Sequence, residues 1–204
     1  TFLFGPDNFS MESNPHALLA SFIDLMMDAV FAVDAHANII FASASCERIF
    51  GYTPKEMTGK NMFDLMLPED REITRHSVAD VMSGHPQFHF ENRYVHKNGH
   101  VINIMWSARW SPADQLRIGV ARDITERKRS ESLQSALYSI SEAAHTAEDL
   151  LKLFKRIHEI VGTLLPVDNF SVTLYDDETD QLSFPYHVDE FLQKPDPFTL
   201  SPGT

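Results

Sequence analysis

Four histidines crowd one stretch, His85, His89, His96 and His100, and two pairs have His-x-x-x-His spacing. On a helix that spacing sets two imidazoles on one face, as a metal site requires. Pro86 and the alternating pattern around it oppose a helix, and four residues along a strand cover about 13 Å, too far for one ion. His96 and His100 flank a turn and can approach, but two ligands make a weak site, so no metal site is expected. The single cysteine, Cys46, excludes an internal disulfide and any multi-cysteine metal centre. A small buried or half-buried thiol is its expected state. Nucleophile and phosphate motifs are missing: there is no Gly-x-Ser-x-Gly, phosphate-cradling glycine loop, His-Glu-x-x-His or Cys-x-x-Cys. The acidic pairs Glu69-Asp70 and Asp176-Asp177 sit beside helix starts and turns, where solvated charge is expected. No catalytic residue is assigned.

The remaining polar residue of interest is Asn92, and its setting depends on a hairpin register. A two-residue turn at Asn98-Gly99 pairs Phe90 with Ser107 and mixes the faces. A three-residue loop Lys97-Asn98-Gly99, with Gly99 left-handed, pairs Phe90 with Trp106 and Tyr94 with Ile102. One face then carries Phe88, Phe90, Tyr94, Ile102, Ile104 and Trp106, and the other His89, Glu91, Arg93 and Asn103. Because a one-residue slip exchanges the faces, the longer loop is expected. Asn92 is the one strongly polar residue on the apolar face, where an unpartnered amide costs roughly 1–3 kcal/mol.

Other elements must position this hairpin. Asn14 and Pro15 open a helix to about Met27, with an apolar stripe of Leu18, Leu19, Phe22, Ile23 and Met26. Strands follow at 29–34 and 38–43, then short helices at 46–51 and 54–58 and a longer one at 69–82, stopped by Gly51, Gly59 and Gly84. After the hairpin, a strand at 115–122 alternates Leu116, Ile118 and Val120 with small or polar neighbours. A charged helix start leads into Leu133, Leu137, Ile140 and Ala144, the seam of a short coiled coil. Thr146, with Asp149 in its box position, opens a second helix to Leu165. Runs at 169–175 and 181–188 read as strands, and the proline-rich last sixteen residues as loop.

The net charge of −12 lacks the basic face of a nucleic-acid binder, and the acidic excess is concentrated after residue 130, with 4 Lys+Arg against 13 Asp+Glu. No apolar run approaches the roughly 20 residues that cross a bilayer, and Thr1-Phe2-Leu3-Phe4 is too short for a signal peptide. With one free cysteine, a reducing, cytoplasmic setting without membrane contact is expected. The ends, Thr1 and Ser201-Pro202-Gly203-Thr204, read as cut from a longer chain.

Several stretches, in order, resemble the S-box variety of the PAS fold. These are Asp28–Asp34, Ile49–Gly59 (IFGYTPKEMTG), Pro68–Arg71, Lys97–Gly99 and the closing Arg122–Arg129 (RDITERKR). The resemblance covers about residues 23–130. From about residue 133 the chain is similar to the opening of a GAF domain, an incomplete one without the later strands of a ligand pocket. The resemblance implies an α+β architecture: residues 1–22 as flank and amphipathic helix, a PAS domain at 23–126 with a five-stranded antiparallel sheet and short helices on one face, a helical coiled-coil linker at 127–145, and a GAF-like segment at 146–204. It implies an input module of a bacterial signalling protein that dimerises through its first helix and linker. Its output domain, a histidine kinase or a cyclic-di-GMP synthase or hydrolase, lies outside these residues.

The same resemblance places a small-molecule cavity between sheet and helices. Asn92 is then a polar contact, with Phe50, Phe63, Met66, Met82, Phe90, Ile104 and Trp106 as apolar wall. Asn92 satisfied within the core is the competing reading. His76 lies on the helix that carries the axial ligand in haem-binding members. A shorter connection after this helix and the position of Arg93 weigh against haem. Cys46 lies outside the motif of flavin-adduct members, which rejects that photochemistry. Asp123, Ile124 and Thr125 close the last strand and open the linker helix, as a cap and, by resemblance, as a signal relay. Two alternatives stand beside the sensor: a ligand-free interaction module, and a haem or flavin redox sensor.

Overall fold

The computed structural model describes residues 21–147 and 149–200, in two compact units divided after Glu126. Residues 15–20 of the predicted helix at 15–27 lie outside the described residues; residues 21–25 are helical, and Phe22 and Met26 of its stripe are exposed.

In the first unit, β1 (Ala29–Asp34) and β2 (Ile39–Ala42) form a hairpin whose turn is built by Asp34. Its carboxylate accepts from the backbone N–H of His36 at 2.9 Å and of Asn38 at 2.8 Å. Helix α1 (Ser45–Phe50) ends at Gly51, whose φ of 80° no other residue adopts without strain. Thr53 and Glu56 form a capping box on α2 (Pro54–Met57), worth about 1 kcal/mol. Two 3₁₀ turns, Met62–Leu65 and Pro68–Asp70, lead into α3 (Arg71–Met82). The sheet is completed by β3 (Gln87–Val95), β4 (Val101–Ser111) and β5 (Leu116–Asp123), in the antiparallel order β2-β1-β5-β4-β3.

The β3–β4 register is the three-residue one: Phe90 faces Trp106, Asn92 faces Ile104 and Tyr94 faces Ile102. Gly99 is left-handed at φ 94°. Phe88 departs from the expected face. A bulge with His89 at φ 61° breaks the register between Gln87 and Phe90, and turns Phe88 out to 62% exposure. Inward, Phe31, Phe50, Tyr94 and Trp106 form a chain of aromatic contacts with centroids 5.5–6.0 Å apart. Each such pair is worth about 0.5–1.5 kcal/mol beyond its area. Ile49, Met57, Met62, Leu65 and Met66 of the helical segments close over them. On β5 the inward set is Gly119 and Ala121, not the apolar series; Ile118 is exposed on the outer face. Gly119 fits closely beneath Trp106: a Cβ there would lie 3.3 Å from the ring, which would have to give by a few tenths of an ångström.

The second unit continues helix α4 (Thr125–Thr146) and contains α5 (Leu150–Gly162) and a three-stranded sheet, β6 (Phe170–Asp176), β7 (Gln181–Val188) and β8 (Phe198–Thr199). Asp149, not Thr146, caps α5, accepting from Leu151 N–H at 2.9 Å; Thr146 belongs to the last turn of α4 and donates to the Glu142 carbonyl. The short β8 pairs Phe198 with Leu182 inside the stretch expected as loop. His158 bridges Tyr186 OH at 2.9 Å and the Val167 carbonyl at 2.8 Å. Along α4 the buried residue is Ala136, while Leu133, Leu137 and Ala144 of the expected seam are exposed.

Candidate functional site

A cavity of about 50 Å³ lies between the inner face of the sheet and α3. Of the sequence-derived candidates, Asn92, Phe63, Met66, Phe90 and Trp106 line it. Phe50 and Ile104 are fully buried but outside the lining, because Phe50 packs edge-on against Phe31 and Tyr94 deeper in the core. Met82 is half-buried and outside the lining; Val78 and Val81 present that helix to the cavity instead. His76 is exposed on α3 and also outside the lining, which removes it as a ligand aimed into this cavity. The helical repeat explains both corrections, since Thr74, Ser77, Val78 and Val81 share one face and residues 76 and 82 fall off it.

Asn92 is 4% exposed, and its amide is engaged at both ends. Its Oδ1 accepts from the Trp106 indole N–H at 3.0 Å, and its Nδ2 donates to Thr74 Oγ1 at 3.0 Å. Thr74 in turn donates to the Asp70 carbonyl at 2.7 Å. The Asp70 side chain accepts from Arg93 three times: the backbone N–H at 2.7 Å, Nε at 3.0 Å and a terminal nitrogen at 2.7 Å. The expectation of a solvated Asp70 is therefore wrong; it is buried, and the Arg93 guanidinium holds its carboxyl below the usual range. One polar chain thus joins β4, β3 and α3. Sequence reasoning found its centre and missed Thr74, Asp70 and Arg93, whose types are unremarkable at a helix start and on a strand's outer face.

Two ionisable groups border the cavity. Burial pushes the Tyr94 phenol up, against the pull of Asn92 and of the Arg117 charge. Desolvation lowers the pKa of Arg117, a half-buried lining residue. Cys46 is not in the lining; its thiol, fully buried, donates to the Tyr52 carbonyl at 3.3 Å, and burial pushes it up to about 11. The His96 and His100 rings stack with centroids 4.5 Å apart at the hairpin turn, and among the described residues no group of three or more His, Cys, Asp or Glu is placed to hold a metal.

At the other end of β4 lies the strand–helix junction. Asn103 accepts from Ile124 N–H through its carbonyl at 2.9 Å and donates its own N–H to Thr125 Oγ1 at 2.9 Å. Asp123 caps the helix by accepting from Thr125 N–H at 2.8 Å. Ile124 is buried, and Arg122 grips Asp28 in a bidentate pair with a shortest contact of 2.7 Å. The junction is held by β4, two residues from the strand's first residue and three from Trp106.

A family model described as the PAS fold matches residues 39–117. A blue-light-activated histidine kinase of Brucella ovis is 31% identical over 117 residues, 56% of this chain and 23% of that protein. The sensor histidine kinase TmoS of Ectopseudomonas mendocina is 26% identical over 145 residues, 67% of this chain and 15% of that protein. The chain thus spans less than a quarter of the length of these relatives. A solved PAS domain from Colwellia psychrerythraea is 27% identical, covering 55% of this chain and 99% of that one with a TM-score of 0.49. Among the described residues no helix is long and apolar enough to cross a membrane. With the matched residues supplying most of the five-stranded sheet and its helical cover, the first unit has the PAS fold, and its similarity to segments of sensor histidine kinases is consistent with a sensory or regulatory module.

Proposed function

We propose that this chain is the input part of a longer bacterial signalling protein, in which the state of the PAS cavity is relayed through Asp123, Ile124 and Thr125 to helix α4 and an output domain beyond it. One observation carries the reading: β4 holds both Trp106, bonded to Asn92 at the cavity, and Asn103, bonded twice to the helix start. A shift of this strand in response to the cavity would strain or relax the junction three residues away. The mechanism needs two junction arrangements differing by only a few kcal/mol.

The finer parts of the proposal follow from the same layout. The chain works as a homodimer through its first helix and the linker, a view supported by the exposed Leu133 and Leu137 on α4. The second unit is the opening of a GAF-like domain, supported by its order of helix followed by two antiparallel strands. The parent ends in a histidine kinase or, as the other option, a cyclic-di-GMP enzyme, and works in the cytoplasm, where the free thiol of Cys46 is at home. The module itself performs no chemistry, since the polar groups at the centre of its cavity are spent on one another.

The reading is tested by filling the cavity. In the full chain, Val78→Phe places a ring where a ligand would sit, and amide hydrogen exchange is followed residue by residue. Altered protection at Ile124, Thr125 and the following turn is the expected result; changes confined to the cavity lining would end the relay proposal.

A second reading, an interaction module with no small ligand, is favoured by the cavity's size, well below the roughly 300–1,000 Å³ of drug-sized ligand pockets. The same volume, with His76 exposed, argues against a haem or flavin redox sensor. A visible absorption band on the purified protein would reinstate it.

A further inference from the structure

Arg117 is the group the polar chain leaves out. It lies on β5 opposite Val33 of β1, on the strand face that also carries Gly119 and Ala121 toward the core. It is half-buried at the cavity, yet among the described residues its guanidinium has no hydrogen-bond or ion-pair partner. The carboxylate in its electrostatic range, Asp34, is committed to its own turn, accepting from His36 N–H, Asn38 N–H and the Asn38 side-chain amide at 2.8–3.0 Å. Without an anion beside it, the guanidinium keeps its fork of donors open at the cavity, available to a carboxylate that enters.

The rest of the lining defines what would complete it. Met62, Phe63, Met66, Val78 and Val81 form an apolar wall, and the amide of Asn92 is already spent at both ends. The free volume of about 50 Å³ equals about three to five water positions at 10–15 Å³ each. A molecule of four or five non-hydrogen atoms fills that space. We infer that the cavity is a site for a short-chain monocarboxylate, two or three carbons long, whose carboxylate pairs with the Arg117 guanidinium and whose alkyl end packs on the Met and Phe wall. A fork of guanidinium donors against a carboxylate gives the bidentate geometry that makes such pairs selective over neutral analogues. The inference deepens the cavity-sensor reading above and rests on it.

The test uses the full chain and two probes of equal size, sodium propionate and propionamide, titrated while the NMR signals of the Trp106 indole N–H and the Arg117 Nε–H are followed. With so few atoms in contact, a dissociation constant on the order of 0.1–10 mM is expected for propionate. Propionate binds at least ten-fold more tightly than propionamide; Arg117→Gln erases that preference and Arg117→Lys retains part of it. An unshifted Trp106 indole signal in unliganded Arg117→Gln verifies that its cavity is intact. If that variant does not fold, the wild-type preference and Arg117→Lys decide the matter. Equal binding of the two probes, or full preference in Arg117→Gln, overturns the carboxylate assignment and leaves the cavity reading in place. Binding of neither probe overturns both.

Discussion

Replacing Asn92 by Leu keeps the approximate shape of the side chain and removes both of its hydrogen bonds. The Trp106 indole N–H then loses its acceptor inside the core, at a cost of about 1–3 kcal/mol. Thr74 loses only a donor to its oxygen and keeps its own bond to the Asp70 carbonyl, so its share is small. Trp106→Phe strands the other partner, the Asn92 carbonyl oxygen, and leaves space where the larger ring was, together about 2 kcal/mol. In the double variant neither orphan exists, and only the packing loss remains. The two changes should therefore fall short of additivity by about 1–2 kcal/mol, a five- to thirty-fold difference in the opening equilibrium. Because the chain has two compact units, a single global melt would mix them. Native-state hydrogen exchange at the β3 and β4 amides reads the first unit alone. Additivity within about 0.3–0.5 kcal/mol would show that the Asn92–Trp106 contact carries no energy of its own.

Two further outcomes follow from groups described above. Arg93 lowers the pKa of Asp70 below 3.8, so the pair's stabilisation is fully present well above that value and is lost as pH falls through the folded-state pKa. Asp70→Asn should cost about 1–2 kcal/mol at pH 7, discounted for the half-exposed Arg93, and the gap to wild type should close as pH falls through the lowered folded-state pKa in exchange-derived stabilities; a gap constant with pH would contradict the assignment. Gly51→Ala and Gly99→Ala both bear left-handed strain of about 1–2 kcal/mol, but only at Gly51 does the new Cβ also meet the His96 ring, at 2.5 Å, whereas at Gly99 it meets open space. Urea titration with the sheet amides as reporter should place Gly51→Ala clearly below Gly99→Ala, and equal losses would mean that the contact with His96 is absorbed without cost.

The hairpin was readable from the residue order because a slip of one position would have exchanged Phe90 and Trp106 for polar neighbours, so a single register survived. Phe88 was not readable, since the left-handed His89 that expels it is a backbone event with no side-chain signature. β5 misleads for a different reason: its outer face is also apolar, and Ile118 carries the period-two signal while Arg117 and Gly119 sit inside. Gly119 was the available clue, a residue small enough to lie beneath the Trp106 ring. Asn92 could be singled out by polarity against pattern, but Thr74 looks like any helical threonine until α3 is laid over the sheet. Thr146 and Asp149 are both competent caps, and only the point where the first helix stops decides between them.

The position of β5 in the sheet has a mechanical consequence. It is the middle strand of five, laddered to β1 on one side and β4 on the other, and it runs covalently into α4. A tug along that helix cannot peel β5 away bond by bond, as it would a strand at the rim. It loads both ladders in shear at once, so small forces pass into the heart of the sheet with little slack.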